Sequence, residues 1–446
     1  MRPPFHIFRK RLPNGLTVLL SRNDKIPMVY INTFCVAGSA DNPPGRAGLA
    51  SFLARMLDEG TRRYTHRQIA DTIESLGGDL SAFSNRELTG LSMALLSQHI
   101  DKGLELSAEM LRFPTFPEKR LELERQKLTS QIKSSLDNPQ AVVSQNFNEV
   151  IYQGTPLAEP TVGRIETVGA FRRRDLVDFH RNHIVPARTI LCVVGSFQVD
   201  EIMDLIGRYF RTWKSPARLR PRPRWRFRRQ SQPVLRELHL DKEQFNIMLG
   251  HLGIERTNPD YYALQILDVI LGSGPGFTSR IPQKLRDRMG LAYTTYSDIA
   301  GSAGFYPGRF VAFISTSPGN REVALKGLRQ EISQIVRKGI TRQELANAKS
   351  YLTGNFVFDF QSNLHIARFL VGAELFKLGF DYLETYPRLI RGVTQQQVNA
   401  VARKYLDVDR CTTIVVGPVH TSESSSTTSP QQAAAKADGR CSGPRA

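Results

Sequence analysis

The chain has 446 residues, of which 41% are hydrophobic and 23% are charged. This length suits two or three domains, and the composition excludes a wholly disordered or fibrous protein. Lysine and arginine number 60 against 42 acidic residues, which gives a formal net charge of +18. A charge of this size raises nucleic acid, an anionic membrane or an acidic protein as partners.

The cysteines and the chain start bear on the cellular compartment. The chain has four cysteines, and no two of them form a C-x-x-C pair: Cys35, Cys192, Cys411 and Cys441. The first residues of the chain lack the apolar core of a signal peptide. No apolar run reaches the roughly 18 residues that a membrane span requires. The sequence therefore predicts a cytoplasmic protein without a membrane span, and a periplasmic location would require a start upstream.

The first elements in chain order are strands. Segments 8–12 and 16–20 flank an Asn14-Gly15 turn, which predicts a β-hairpin, and residues 28–36 read as another strand. Helices follow. Thr65 and Gln68 form a capping box for a helix that should end at the Gly77-Gly78 pair, and 118–136 is strongly helix-forming.

A weak internal repeat indicates two similar halves. Residues 168–195 align without gaps with 390–417, and in this alignment Leu176 meets Val398 and Phe179 meets Val401. Each copy has the apolar spacing of a helix followed by a short buried strand. We therefore expect two halves of the same design, at 1–213 and 233–418.

An arginine- and proline-rich segment separates the halves. Eight of the sixteen residues in 214–229 are basic, and no acidic residue lies between Asp204 and Glu237. Like charges and proline disfavour a helix, so 214–232 is predicted to be an extended linker, and the polar residues 419–446 a disordered tail. Eleven basic residues fall within 205–236, and removing them from +18 leaves +7. The excess charge therefore belongs to the linker, where an acidic partner or peptide could bind.

The window 47–61 carries the first family resemblance. Its sequence, AGLASFLARMLDEGT, resembles the frame G-x-A-H-F-x-E-H-M-x-F-x-G-T of the insulinase/pitrilysin/mitochondrial-processing-peptidase family of inverted zincins. In that family the two histidines bind zinc, and the glutamate between them activates a water molecule. The corresponding residues here are Ser51, Arg55 and, at the glutamate position, Ala54.

The resemblance also locates the third zinc ligand of the family, a glutamate on a later helix. The matching stretch begins at Glu124-Arg125 and places Gln131 at the ligand position. A hydroxyl, a guanidinium and a neutral amide do not make a zinc site, and Arg55 would repel the ion. We therefore expect no metal in this chain and a zinc ion in a partner chain.

A second window, in the other half, keeps its functional residue types. Residues 271–293 resemble the family signature L-G-G-G-x-x-S-R-L-x-x-x-L-R-E-K-x-G-L-A-Y, with a helix predicted to end at Gly290 and a strand to follow. In the family, the arginine and tyrosine of this signature bind the substrate backbone and stabilise the oxyanion. Arg286 and Tyr293 preserve both types and their spacing.

These resemblances imply a fold and a function. The expected fold class is α/β (α+β), with two homologous two-layer halves, each a largely antiparallel sheet with helices on one face. The implied function is that of a non-catalytic subunit of a heterodimeric zinc metallopeptidase that degrades or processes peptides. A homologous subunit would supply zinc, and this chain would supply Arg286 and Tyr293. One alternative is a structural core-type subunit of a larger complex without a proteolytic role, and another is an active peptidase with an unusual metal site.

Other candidate residues favour structural roles. His180 and His183 lie on a helical face with apolar neighbours, which favours packing over metal binding, and His66 is expected at the surface. Trp225 and Phe227 interleave with arginines in the linker, a pattern compatible with stacking on single-stranded nucleic acid. That segment is short and lacks a recognised binding module, so the sequence argues against nucleic acid as the partner.

Overall fold

A computed structural model describes residues 6–219, 221–222, 224–275, 279–358 and 360–418. The tail predicted at 419–446 lies outside these residues, as do Gly276, Phe277 and Thr278 of the glycine-rich segment. Two sheets organise the described chain, one of six strands and one of five. None of the described helices combines the length and the apolar character needed to cross a bilayer.

The first half begins with a hairpin and alternates strands with helices. Its elements are β1 His6–Arg11, β2 Thr17–Arg22, β3 Met28–Cys35, α1 Leu49–Arg55, α2 His66–Ser75, β4 Asp79–Ser84, β5 Thr89–Leu96, α3 Ile100–Arg112, α4 Glu118–Leu136, α5 Pro139–Ile151, α6 Ile165–Gly169, α7 Arg173–His183, β6 Thr189–Gly195 and α8 Val199–Phe210.

The first sheet has the order β1-β2-β6-β3-β5-β4, in which only β2 and β6 are parallel. The hairpin predicted at Asn14-Gly15 is β1–β2, with Gly15 at φ +92°, a conformation that glycine adopts without strain. The predicted capping box is also confirmed, since Thr65 accepts a hydrogen bond from the Gln68 amide at the start of α2. The local signals therefore predicted the hairpin and the start of α2 correctly.

The second half repeats the design. Its strands and α-helices are β7 Val234–His239, β8 Phe245–Leu252, α9 Tyr261–Asp268, β9 Ala292–Asp298, β10 Arg309–Thr316, α10 Arg321–Lys338, α11 Arg342–Phe358, α12 Asn363–Leu375, α13 Tyr382–Gly392, α14 Gln395–Tyr405 and β11 Thr412–Gly417, with π-helical segments at Val269–Ser273 and Pro282–Arg288. The sheet order is β7-β11-β8-β10-β9, and β7 and β11 form the parallel pair.

The internal repeat read from the sequence is visible in the structure. Helix α7 and strand β6 occupy the same places in the aligned segments as helix α14 and strand β11. Strand β6 lies between β2 and β3, and β11 lies between β7 and β8. Among the described residues, β1 has no counterpart in the second sheet.

The two halves interlock by exchanging one helix each. Helix α5 of the first half packs on β8 and β11 of the second sheet, and Phe147, Met248 and Ile414 belong to one buried cluster there. Helix α12 of the second half packs on β3 and β6 of the first sheet, and Leu370 and Cys192 share a second buried cluster. Each sheet is thus covered by its own helices on one face and partly by a foreign helix on the other. This explains why every residue of β6 and β11 is buried.

The predicted linker lies between α8 and β7 and forms neither helix nor strand in its described residues. Its aromatic side chains pack into the cluster beneath α5, and the ring of Phe227 lies 6.1 Å from that of Tyr152 and 6.0 Å from that of Tyr306. Trp225 joins the same cluster. These rings serve packing within the chain and are not an open stacking surface for nucleic acid.

Candidate functional site

Helix α1 is fixed from its first turn. Gly48 precedes it with φ +89°, and a Cβ atom there would lie 2.6 Å from the carbonyl oxygen of Val162. Both the backbone conformation and the close approach require glycine. The side-chain oxygen of Asn42 accepts a hydrogen bond of 2.9 Å from the amide of Ala50. Gly48 and Asn42 therefore fix the start of α1 in the structure.

Some side chains of α1 are buried in the core, and Arg55 contacts the neighbouring helix α4. Phe52 and Leu53 are fully buried in the core of the first half. Ser51 and Ala54 are also buried, whereas the side chain of Arg55 keeps 31% of its surface exposed. Helix α1 packs against α4 and against β4, an edge strand of the first sheet.

Arg55 and Gln131, which the sequence resemblance predicts at the second and third zinc-ligand positions of the family, lie in direct contact. The Arg55 guanidinium donates a hydrogen bond from Nη2 to Oε1 of Gln131, across from α1 to α4. Its Nη1 lies 3.8 Å from Oε2 of Glu124, a buried carboxylate that also accepts a hydrogen bond of 2.5 Å from Nζ of Lys127. The arrangement pairs a cation with a buried carboxylate and an amide.

These side chains do not fit zinc. Arg55 is a fixed cation and cannot coordinate, Gln131 offers a neutral amide, and Ser51 offers a neutral hydroxyl. Among the described residues, no group of three histidine, cysteine, aspartate or glutamate side chains could hold a metal ion. That helix α1 corresponds to the zinc-binding helix of the family stays a prediction from the sequence.

The carboxylates just beyond α1 are also paired. Glu59 is buried and forms a salt bridge with Arg120, and Nδ1 of His66 lies 3.5 Å from Oε2 of Glu59. Burial raises the pKa of Asp58, and the nearby charges of Glu59 and Glu124 raise it further. His66, expected at the surface, is in fact partly covered and held near these acids.

Arg286 and Tyr293 lie on the other half of the chain. Arg286 is part of the π-helical turn before Gly290, which has φ +62° as predicted, and Nε of Arg286 donates a 2.8 Å hydrogen bond to Asp287. Tyr293 lies on β9, an edge strand, and is 92% exposed. The hydrogen bond to Asp287 raises the pKa of Arg286, and Tyr293 contributes to the same effect. Tyr293 is therefore open to solvent, whereas the side chain of Arg286 keeps 31% of its surface exposed.

A buried carboxylate beneath the glycine-rich segment is a residue that sequence reasoning missed. Asp268 ends α9 and accepts a hydrogen bond of 3.2 Å from the hydroxyl of Ser297. Burial raises the pKa of Asp268 to about 8, and the charge of Asp298 adds to the effect. The sequence signal that could have indicated this residue is a single aspartate inside the apolar run 266–271.

The remaining candidates have structural roles. Nε2 of His180 lies 2.8 Å from the carbonyl oxygen of Leu111, and the ring of His183 stacks on Phe179 at 4.3 Å, so the two imidazoles serve different partners. Desolvation lowers the pKa of His180. The cysteines Cys35, Cys192 and Cys411 are buried free thiols, and burial raises the pKa of Cys35 to about 12.

Comparisons with protein families match most of both halves. Residues 17–164 match the family model of insulinase (peptidase family M16), and residues 170–352 match the model of the peptidase M16 inactive domain. An uncharacterized zinc protease of Rickettsia felis is 29% identical over 364 residues, which cover 80% of this chain and 84% of that protein. The uncharacterized zinc protease YmxG of Bacillus subtilis is 26% identical over 90% of this chain and 96% of its own length.

Solved structures share the same fold. The peptidase M16 inactive domain from Pseudomonas fluorescens superposes with a TM-score of 0.83 at 24% identity, covering 93% of this chain and 98% of its own. A protease from Helicobacter pylori superposes with a TM-score of 0.86 at 20% identity, covering 93% of this chain and all of its own.

Proposed function

Because this chain belongs to the insulinase (M16) family of peptidases, we propose that it acts inside a peptidase, as a subunit that carries no zinc. In this proposal a homologous chain with intact histidine and glutamate ligands supplies the metal and the general base. The two chains together form the working enzyme.

The observation that carries the proposal is the contact of Arg55 with Gln131 and Glu124. The guanidinium is hydrogen-bonded to Gln131, and its Nη1 lies 3.8 Å from the buried carboxylate of Glu124. A cation in that place opposes binding of a divalent metal by electrostatic repulsion and supplies no lone pair. The zinc that gives related proteins their names therefore belongs, in this proposal, to the partner.

Arg286 and Tyr293 are the residues that this chain contributes to the reaction. A guanidinium and a phenol hydroxyl are the donors that a peptide carbonyl and its developing oxyanion require. Tyr293 is almost fully exposed on an edge strand, so it is available to a site completed by a second chain. The substrates are unfolded peptides, which the family binds as an added strand at a sheet edge.

Coexpression with a zinc-bearing homologue tests the proposal. We expect the two chains to copurify, the pair to contain about one zinc ion, and a fluorogenic peptide to be cleaved by the pair but by neither chain alone. Metal analysis of the separated chains should find the zinc in the partner. Stoichiometric zinc in the isolated chain would contradict the proposal, and copurification with a membrane redox complex would identify a structural subunit instead.

A further inference from the structure

The linker presents a row of arginines on one side. From residue 224 to 228 the side chains alternate between exposed arginines and partly buried aromatic residues. A side-chain period of two is characteristic of extended backbone. We call the exposed residues, Arg224, Arg226 and Arg228, the arginine row.

The inward side chains hold this segment in place. Trp225 and Phe227 pack into the cluster beneath α5. At the end of the segment, Arg229 donates a 3.1 Å hydrogen bond to the carbonyl oxygen of Tyr405, and Gln230 donates one of 3.0 Å to that of Val150. The arginine row therefore lies on a segment that is already held in place. This reduces the conformational entropy that the segment loses when a ligand binds.

The charges of the row are not balanced within the described part of the chain. Within it, neither an ion pair nor a side-chain hydrogen bond involves Arg224, Arg226 or Arg228. Other linker arginines differ, since Arg229 contacts Tyr405 and the guanidinium of Arg222 lies 4.6 Å from the ring centre of Phe305. Lys214 and Arg218 are exposed too, but they do not belong to the alternating stretch, so the row is the part of the basic segment in which uncompensated charges recur at every second residue.

The backbone of the row is equally unpaired. Among the described residues, no backbone hydrogen bond joins the peptide groups of 224–228 to another segment. These amide and carbonyl groups are left for water or for an added strand. A peptide can satisfy them by strand pairing, whereas a nucleic acid cannot reproduce that pattern.

We propose that the arginine row binds an extended acidic peptide segment with carboxylates at every second residue. Two residues of extended chain span about 6.6–6.8 Å, so alternate carboxylates and alternate arginines have the same pitch. Each arginine then faces one carboxylate, and strand pairing to the linker backbone fixes the register. The proposed site does not include Arg286 or Tyr293, and the proposal goes beyond the proposed function.

The aromatic residues argue against nucleic acid as the occupant. Base stacking supplies much of the affinity of single-strand binding sites, and it requires open rings. Trp225 and Phe227 are turned into the protein, so only phosphate contacts would remain. A row of three charges without stacking gives weak, salt-sensitive binding.

The test measures the fluorescence anisotropy of labelled probes with the full chain. The probes are an eight-residue peptide of alternating glutamate and threonine, a block peptide of the same composition with its glutamates contiguous, and an eight-nucleotide oligothymidylate. We expect the alternating peptide to bind most tightly, and to weaken as sodium chloride rises from 50 to 300 mM.

Matched variants separate the row from the general positive charge. The variant R224S/R226S/R228S should weaken the alternating peptide about tenfold, since each exposed ion pair contributes a few-fold in affinity. The control R174S/R181S/R342S removes the same charge from exposed positions on α7 and α11 and should bind as the parent does. Unchanged thermal midpoints would show that both variants are folded.

Several results would overturn the proposal. They are equal losses in the two variants, no loss in the row variant, or tighter binding of the oligothymidylate or of the block peptide. A version of the alternating peptide with N-methyl groups on alternate amides keeps its charges but cannot pair as a strand. Equal affinity for that version would refute strand pairing as the binding mode.

Discussion

The guanidinium of Arg55 is hydrogen-bonded to the side-chain amide of Gln131, a residue 76 positions away in the chain. By the resemblance of the sequence, the two residues correspond to zinc-ligand positions of the insulinase family. The buried carboxylate of Glu124 lies 3.8 Å from the same guanidinium. A fixed cation, an amide and a buried carboxylate therefore lie together at the place where the family resemblance would put the metal.

If the geometry is intact, restoring the ligands should restore the metal. We expect S51H/R55H/Q131E to bind about one zinc ion per chain, because two histidines four residues apart lie on one helical face opposite the restored glutamate. The parent chain should contain only traces of zinc. Atomic emission spectrometry of the purified proteins measures the difference.

A matched variant guards against adventitious zinc. S51H/R55K/Q131E carries two of the same substitutions but keeps a cation at position 55, and it should remain free of zinc. Histidine is larger than the buried Ser51, so circular dichroism should first confirm that both variants fold. Zinc in both variants, or in neither, would show that residues 51, 55 and 131 are not arranged to bind zinc together.

The hydroxyl of Tyr293 should matter for catalysis and not for folding. Its side chain is 92% exposed, so Tyr293→Phe should leave the thermal midpoint unchanged. In the reconstituted pair, loss of one oxyanion donor lowers kcat by about two to three orders of magnitude. Rates of peptide cleavage by the pair, measured at saturating substrate, test this expectation.

Tyr296 offers the control, since it lies on the same strand with its ring stacked on Phe313 at 5.1 Å. Tyr296→Phe should change the cleavage rate little. An unchanged rate in Tyr293→Phe would remove the catalytic role from this residue while leaving the fold assignment intact. Equal losses in the two variants would indicate a general disturbance of β9.

The buried Asp268 predicts that stability falls as pH rises. Its pKa is raised to about 8 by burial, with a contribution from Asp298, whereas an unfolded aspartate titrates near 3.9. Between these values the folded chain holds a proton that the unfolded chain has released, so the free energy of unfolding decreases with pH, by up to about 1.4 kcal/mol per pH unit.

Asp268→Asn isolates this contribution. The amide keeps an oxygen that can accept the hydrogen bond from Ser297 but does not ionise. Urea unfolding at pH 6 and pH 9 should show a larger loss of stability for the parent than for the variant. Parallel losses in the two proteins would mean that Asp268 does not titrate in this range.

Local patterns in the sequence predicted much of the fold and part of the site. The Asn14-Gly15 hairpin, the Thr65 cap and the repeat of helix and strand depend on neighbours in sequence, and all are present in the structure. The frame of α1 was likewise readable, because its glycines and apolar residues sit at fixed spacings.

Contacts between distant segments could not be read in this way. The apolar composition of α12 predicts that the helix is buried, but not that it packs on the sheet of the other half. The pairing of Arg55 with Gln131 and the burial of Asp268 also depend on how separate elements pack. The alternation of the linker was visible, yet only the structure shows which side faces solvent.

The exchanged helices predict that the two halves unfold together. Leu370 on α12 is fully buried against the first sheet, so Leu370→Ala should cost about 2–5 kcal/mol. Because α5 and α12 each bury side chains on the other half's sheet, we expect a single unfolding transition, which Leu370→Ala shifts to lower temperature.

Leu389→Ala on α13, where the side chain is 38% exposed, provides the control and should shift the unfolding transition much less. Scanning calorimetry that resolved two transitions, with Leu370→Ala moving only one of them, would show that the halves are stable independently.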